Sequence, residues 1–431
     1  MKKITTSLLC FVLIVMSITV KAQDMEYSKK VIKKLASPAF KGRGYEANGD
    51  KIASAFIASE FKKSGLIPLN RNSYFQDFEL SANTFPGKVE VKLDGQLLQT
   101  AVDYLVDATS PSVKGTYPVI PVTRIAINTP EKLMTLVNRA KGAFILLDNR
   151  IPSGESADLK QVVSDNIIKL KTNASFDFKG LILFSEDKLT WTSLTYQNPR
   201  PVLHVNKKGL DPATVRTLTV NIEAKLIPNY RTRNVVGMVK GTSASDSTIL
   251  ISAHFDHLGL LGKKVYFPGA NDNASGTTFM LNLVRYYAKN APKYNTVFIA
   301  FSGEEIGLLG SKAFVKQPLI DLSKIKFMLN FDLAGTGEDG IKVVNGKIFR
   351  PQFDQLVKLN DIYKLVPKVD IRGEACKSDH CPFYEVGVPA FFIYTLGGTP
   401  AYHDIYDRPE NLPLTAFENY FKLMVKFIQT F

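Results

Sequence analysis

The spacing of apolar positions changes character twice along the chain. From about residue 24 to 66 they recur at helical intervals, and two helices are expected there. The second covers about 49–64, with Ile52, Ala55, Phe56, Ile57 and Phe61 near one face and Gly65 as its stop. From about residue 80 to 225 the pattern shortens to strand-like runs at 89–93, 143–147 and 181–184, which predict an inserted β-rich module. From Asn234 onward, apolar strands at 248–252, 296–301, 326–331 and 389–396 alternate with helical segments at 276–287 and 306–314. An amphipathic helix at about 414–429 closes the chain. This alternation predicts an α/β fold: a three-layer α/β/α sandwich on a mixed, mostly parallel sheet. The expected division is 23–84 and 226–431 for the sandwich and 85–225 for the insert.

Residues 1–22 break the pattern in another way. Lys2 and Lys3 precede an apolar run from Leu8 to Val20, and Val20-Lys21-Ala22 offers small residues where a signal peptidase cuts. An uncleaved anchor is the alternative, and lipidation at Cys10 is disfavoured by Leu8 and Leu9. No later run of about 20 apolar residues appears, so no integral membrane segment is expected once the leader is removed. The chain is expected to be exported, to the periplasm or beyond the cell.

Composition narrows the classes. With 431 residues, 45% hydrophobic and 22% charged, the chain is ordinary globular protein. Three cysteines are too few for a disulfide framework or a four-cysteine zinc module. Loss of the leader removes Cys10, leaving Cys376 and Cys381. In an oxidising compartment these two are expected to pair; free or metal-binding thiols are the alternative. The formal charge of +14 is scattered rather than blocked, which reads as a solvated basic surface and not a nucleic-acid site.

The chemistry concentrates in the strand–helix part. Of five histidines, His254, His257, His380 and His403 lie there, in acid-rich segments at or shortly after strand ends, where open α/β sheets bind ligands. His254-Phe255-Asp256 puts a carboxylate two residues from an imidazole, on the same side of an extended strand. Asp272 sits among small residues before a helix, a position that an N-cap would also explain. Glu304 and Glu305 close an apolar strand, where charge is costly unless paired or metal-bound. Such a pair suits one ligand and one proton carrier. Asp332 ends another strand, and Ser378-Asp379-His380 and Tyr402-His403-Asp404 flank the last. Together they imply a metal centre of His254, Asp272, Glu305, Asp332 and His403. Imidazole and carboxylate without thiolate favour zinc, with manganese or cobalt as possible occupants. Five ligands exceed one catalytic zinc, so two Zn²⁺ sharing a carboxylate fit.

The ordered set His254-Phe255-Asp256, Gly269-Ala270-Asn271-Asp272-Asn273, Glu304 to Ser311, Asn330-Phe331-Asp332 and Tyr402-His403 resembles the co-catalytic zinc peptidases. That family includes secreted bacterial aminopeptidases, glutamate carboxypeptidase and glutaminyl cyclases. Phe40-Lys41-Gly42-Arg43-Gly44 also looks like its N-terminal segment. The resemblance spans about 35–80 and 230–431. It implies that Asp272 bridges two zincs, with His254 and Asp332 completing one site and Glu305 and His403 the other. It makes Glu304 the general base and Asp256 the partner of His254, with the Asp272–Asn273 peptide often cis. Tyr402 is a candidate oxyanion donor. Many relatives carry a protease-associated domain where 85–225 lies. The implied activity is hydrolysis of N-terminal residues from peptides by a two-zinc-activated water. A glutaminyl cyclase-type acyltransferase, and a carboxypeptidase or dipeptidase, are the alternatives. One departure is Asp404-Ile405-Tyr406-Asp407, where many relatives have a Thr-Pro or Thr-x-x-Asp pattern.

Overall fold

A computed structural model describes residues 24–431, so the leader read in residues 1–22 lies outside the described residues. Among the described residues no helix is long and apolar enough to cross a membrane. Two large sheets organise the chain.

The first sheet has nine strands. At its centre Asn295–Phe301, Thr248–His254, Ile325–Phe331 and Ala390–Leu396 run parallel, in that spatial order. Lys225–Val239 and Gly340–Val344 flank this block antiparallel. The central strands are apolar almost throughout because both faces are covered. Ile249, Ile251 and Ala253 point into one core with the helices Met25–Leu35, Gly49–Lys63, Gly276–Tyr287 and Phe417–Ile428. Leu250, Val297, Ile299 and Phe301 point into the other, against Phe314 and Phe383. The α/β sandwich with a mixed sheet is thus as the alternation predicted. In the helix Gly49–Lys63 the buried face is rotated from the expected one: Ala53, Ile57, Ala58 and Phe61 are buried while Ile52 is 38% exposed.

The second sheet, of eight strands, is built from residues 89–222. Its middle strands, Val113–Thr123, Phe144–Asp148, Gly180–Phe184 and Val202–Val205, run parallel. This part also carries two helices that its β-rich reading did not anticipate, Pro130–Arg139 and Ala157–Thr172. They cover one face through Leu133, Leu136, Val137, Val163 and Leu170. The other face, with Phe144, Leu146, Ile182 and Phe184, shares a core with Phe85, Leu258, Leu261 and Phe267. Those last residues lie outside the second sheet. Leu258, Leu261 and Phe267 belong to the loop between His254 and Asp272, so the insert packs against a wall of the chemically loaded edge.

Candidate metal centre

The C-terminal ends of the four parallel strands meet at one edge. His254 is the last residue of its strand, and Glu304 and Glu305 follow Phe301 by three and four positions. Asp332 directly follows Phe331, and His403 lies on the loop after Leu396. Asp272 lies in the segment Ala270–Ser275 that feeds the helix Gly276–Tyr287, and the peptide bond after it is cis. His254 Nε2 is 3.5 Å from Asp272 Oδ1 and 3.3 Å from Asp332 Oδ1. His403 Nε2 is 3.1 Å from Asp272 Oδ2 and 3.2 Å from Glu305 Oε2. Asp272 therefore presents one oxygen to each imidazole. A carboxylate oxygen of Glu304 lies within 4.8 Å of a ring nitrogen of His254 and a carboxylate oxygen of Asp332. Tyr402 stacks on His403, ring centroids 4.0 Å apart, with 47% of its surface exposed.

Asp256 departs from its expected pairing. His254 Nδ1 lies 3.2 Å from the Asp256 backbone carbonyl and 3.8 Å from the nearer carboxylate oxygen. The strand ends at His254, so the two-residue alternation no longer holds beyond it. The Asp256 carboxylate instead accepts from the Tyr45 hydroxyl at 2.8 Å and from the Glu304 and Glu305 N–H groups at 3.2 and 3.4 Å. It thereby fixes the turn that carries both glutamates. Burial pushes its carboxyl up to about 6.

The neighbouring glutamates are driven apart. Burial, with Glu305, Asp379 and Asp332 nearby, raises Glu304 well above the usual carboxylate range. Burial opposes charge on Glu305 too, but His403 and His257 hold it well below that range.

Several neighbours named from the sequence without a ligand or catalytic role also meet here, and the expected Cys376–Cys381 pair is bridged. His257 Nδ1 lies 2.6 Å from Glu305 Oε1. Asp407 accepts from the Asn271 and Asp272 N–H groups at 2.8 and 2.9 Å. Asp379 is fully buried with neither oxygen hydrogen-bonded, and burial pushes it to about 7. Ser378 Oγ donates to Asp332 Oδ2 at 3.4 Å, and the Cys376–Cys381 bridge, Cα atoms 5.0 Å apart, flanks it. Arg43 lies beneath the site, its guanidinium donating only to carbonyls: Leu35, Phe255, Pro268, Gly269 and Asp272. The glycines beside it give a usable signal. A Cβ at Gly42 or Gly44 would come within 2.4 Å of Gly259, so Gly-Arg-Gly marks a close backbone crossing.

The residues fit cation binding. Backbone carbonyls accept from Nδ1 of both imidazoles, Asp256 O for His254 and Trp191 O at 2.9 Å for His403. Each Nε2 then turns a lone pair toward carboxylates, an arrangement that needs positive charge between them. Asp332 Oδ1 is buried and makes no hydrogen bond, although His254 Nε2 is 3.3 Å away. A buried set of imidazoles and excess carboxylates without thiolate suits zinc.

Residues 234–428 match the model of Peptidase family M28. Aminopeptidase YwaD of Bacillus subtilis is 25% identical over 398 residues, covering 85% of this chain and 77% of that protein. A "Probable leucine aminopeptidase" of Arthroderma otae is 33% identical over 181 residues, covering 39% and 48%. The chain thus spans about half the length of that fungal relative. Among solved structures, an aminopeptidase from Aneurinibacillus sp. strain AM-1 superposes with TM-score 0.63 at 20% identity, covering 95% of this chain and 94% of that one. A zinc aminopeptidase from Bacillus subtilis gives 0.65 at 19%, covering 94% of each. At that identity the likeness is one of fold.

Proposed function

Because the chain belongs, through residues 234–428, to peptidase family M28 and is a zinc metallopeptidase, we propose that it is an exported aminopeptidase holding two zincs. The observation that carries this reading is Asp272 itself, one oxygen on His254 and the other on His403. His254 and Asp332 would complete one zinc site, and Glu305 and His403 the other. When bound, the zincs supply Lewis acidity, polarising the scissile carbonyl and acidifying water.

The chain's own residues do the rest. Glu304, whose raised proton affinity suits a base, takes the proton of the attacking water on its carboxylate and delivers it to the leaving amine nitrogen. Asp256 keeps the Glu304–Glu305 turn in place through two backbone N–H groups. Tyr402, stacked beside His403, is positioned to donate to the developing oxyanion.

Charge favours the amine end of the substrate. The cleft is lined with carboxylates, whereas Arg43, the cation beneath it, is fully engaged with carbonyls and unavailable to a C-terminal carboxylate. Residues 85–225 form a protease-associated-like module, and residues 1–22 the export signal. The test compares a panel of aminoacyl-nitroanilides with their N-acetylated counterparts. Cleavage confined to the free-amine series is expected. Equal cleavage of the blocked series, or release of ammonia from a glutaminyl peptide without release of glutamine, would overturn the reading.

A further inference from the structure

Resting on the two-zinc reading above, we propose that the insert is a working part of the metal centre. Trp191 and Lys188 are positioning residues that aim His403 at Asp272 and Glu305, so that seating of the insert and filling of the Glu305–His403 site are coupled.

The two imidazoles are supported differently. His254 donates from Nδ1 to a carbonyl at its own strand end. His403 donates to the carbonyl of Trp191, a residue of the insert, and its own carbonyl accepts from the Trp191 N–H at 2.9 Å. This double clamp spans a residue with φ of 52°, a conformation seldom adopted by residues other than glycine. Fixing Nδ1 as the donor leaves Nε2 free to ligate, and such outer partners orient a metal-bound imidazole.

Trp191 is itself anchored on both sides. Its Nε1–H donates to Val106 O, within the insert, at 2.7 Å. Its ring stacks on Phe267, near the bridging aspartate, with centroids 4.8 Å apart and planes at 17°. Lys188 ties down the chain on either side of His403. Its ammonium lies 2.6 Å from Asp404 Oδ2 and donates to the carbonyls of Pro400 at 2.7 Å and Tyr402 at 3.1 Å. The insert therefore supplies the ring partner of one metal-facing histidine and leaves the other alone. Perturbing it should weaken one zinc site selectively.

Trp191 is also the chain's single tryptophan, so it reports on this contact. The experiment titrates zinc into the metal-stripped, leader-free protein, followed by calorimetry and by tryptophan fluorescence. The fluorescence change is expected with the zinc that His403→Ala abolishes, and not with the one that His254→Ala abolishes. Lys188→Met and Trp191→Ala should each weaken the His403-dependent zinc by about tenfold or more and leave the other within about twofold, with Trp191→Phe restoring most of the loss. Lys188 is 46% exposed, so Lys188→Met decides the matter if Trp191→Ala does not fold. Unchanged zinc binding in Lys188→Met, or equal weakening of both sites, overturns the positioning role and leaves the two-zinc aminopeptidase standing. A native protein that takes up only one zinc overturns that reading, and the coupling with it.

Discussion

Removing the guanidinium of Arg43 should be among the most damaging single changes available. The side chain is fully buried, and its Nε, Nη1 and Nη2 donate to five carbonyls at 2.7–3.0 Å. Arg43→Met keeps much of the stem's packing and strands those oxygens. Only Gly269 O has another identified backbone partner, the Ala274 N–H at 3.2 Å. A stranded buried acceptor costs about 1–3 kcal/mol. Release of a buried charge from its desolvation offsets several kcal/mol of the total. At about 1 kcal/mol net per carbonyl, the loss is about 4–5 kcal/mol, at the upper end for point substitutions. In a large domain that corresponds to a fall of about 10–15 °C in Tm. Arg43→Lys keeps the charge, but three ammonium donors serve at most three carbonyls, so roughly half that fall is expected. Thermal unfolding of metal-free protein, followed by circular dichroism, separates this effect from zinc binding. An Arg43→Met protein within about 3 °C of the native one would refute the reasoning.

Glu304→Gln should retain both zincs and lower kcat by about 10²–10⁴, whereas Glu305→Gln should lose metal; atomic absorption beside a peptidase assay distinguishes the two. The native protein, inactivated by a chelator, should regain activity with Zn²⁺, and active protein holding less than one zinc per chain would contradict the two-zinc centre. Thiol titration of unreduced, denatured, leader-free protein should find no free cysteine, given the Cys376–Cys381 bridge. In the insert, burial opposes charge on Asp107, but His204 and Lys171 hold its carboxyl far below the usual range. A carboxyl depressed in the folded state stabilises fully above its unfolded value of about 3.9 and loses that contribution as pH falls below it. Tm should therefore drop more steeply below about pH 4 in the native protein than in Asp107→Asn.

The edge chemistry was legible because each ligand candidate follows an apolar strand within a few residues, and parallel strands deliver their ends to one side. His254, Glu305 and Asp332 needed only that rule. The supports of Asp272 and His403 were not legible, since they arrive from far along the chain. Arg43 reaches Phe255 and Asp272 across 212 and 229 positions. Trp191 reaches His403 across 212. The His254 ring meets the backbone carbonyl of Asp256 rather than its carboxylate because Asp256 lies two residues past the strand's end, where extended alternation no longer applies. The two helices of the insert did leave a local signature. Thr129-Pro130 caps a stretch with Leu133, Leu136 and Val137 on one face, and Ser156 caps the next helix. The short strand-like runs on both sides are the more continuous apolar signal.

The ribbon that admits the insert carries a consequence for how the chain closes. Phe75–Thr84 and Lys225–Val239 pair antiparallel, beginning with Thr84 opposite Lys225, so the whole insert is the loop of one hairpin. Loop-closure entropy grows only with the logarithm of length, and an insert that folds on itself holds its ends together and shortens the effective loop. The first sheet could accept a two-residue turn in place of that entire segment without rethreading any strand. A protein trimmed in this way would keep its topology but expose Phe267 and leave the ring of His403 without its carbonyl. The insert is topologically dispensable, yet it supplies the carbonyl that holds the His403 ring.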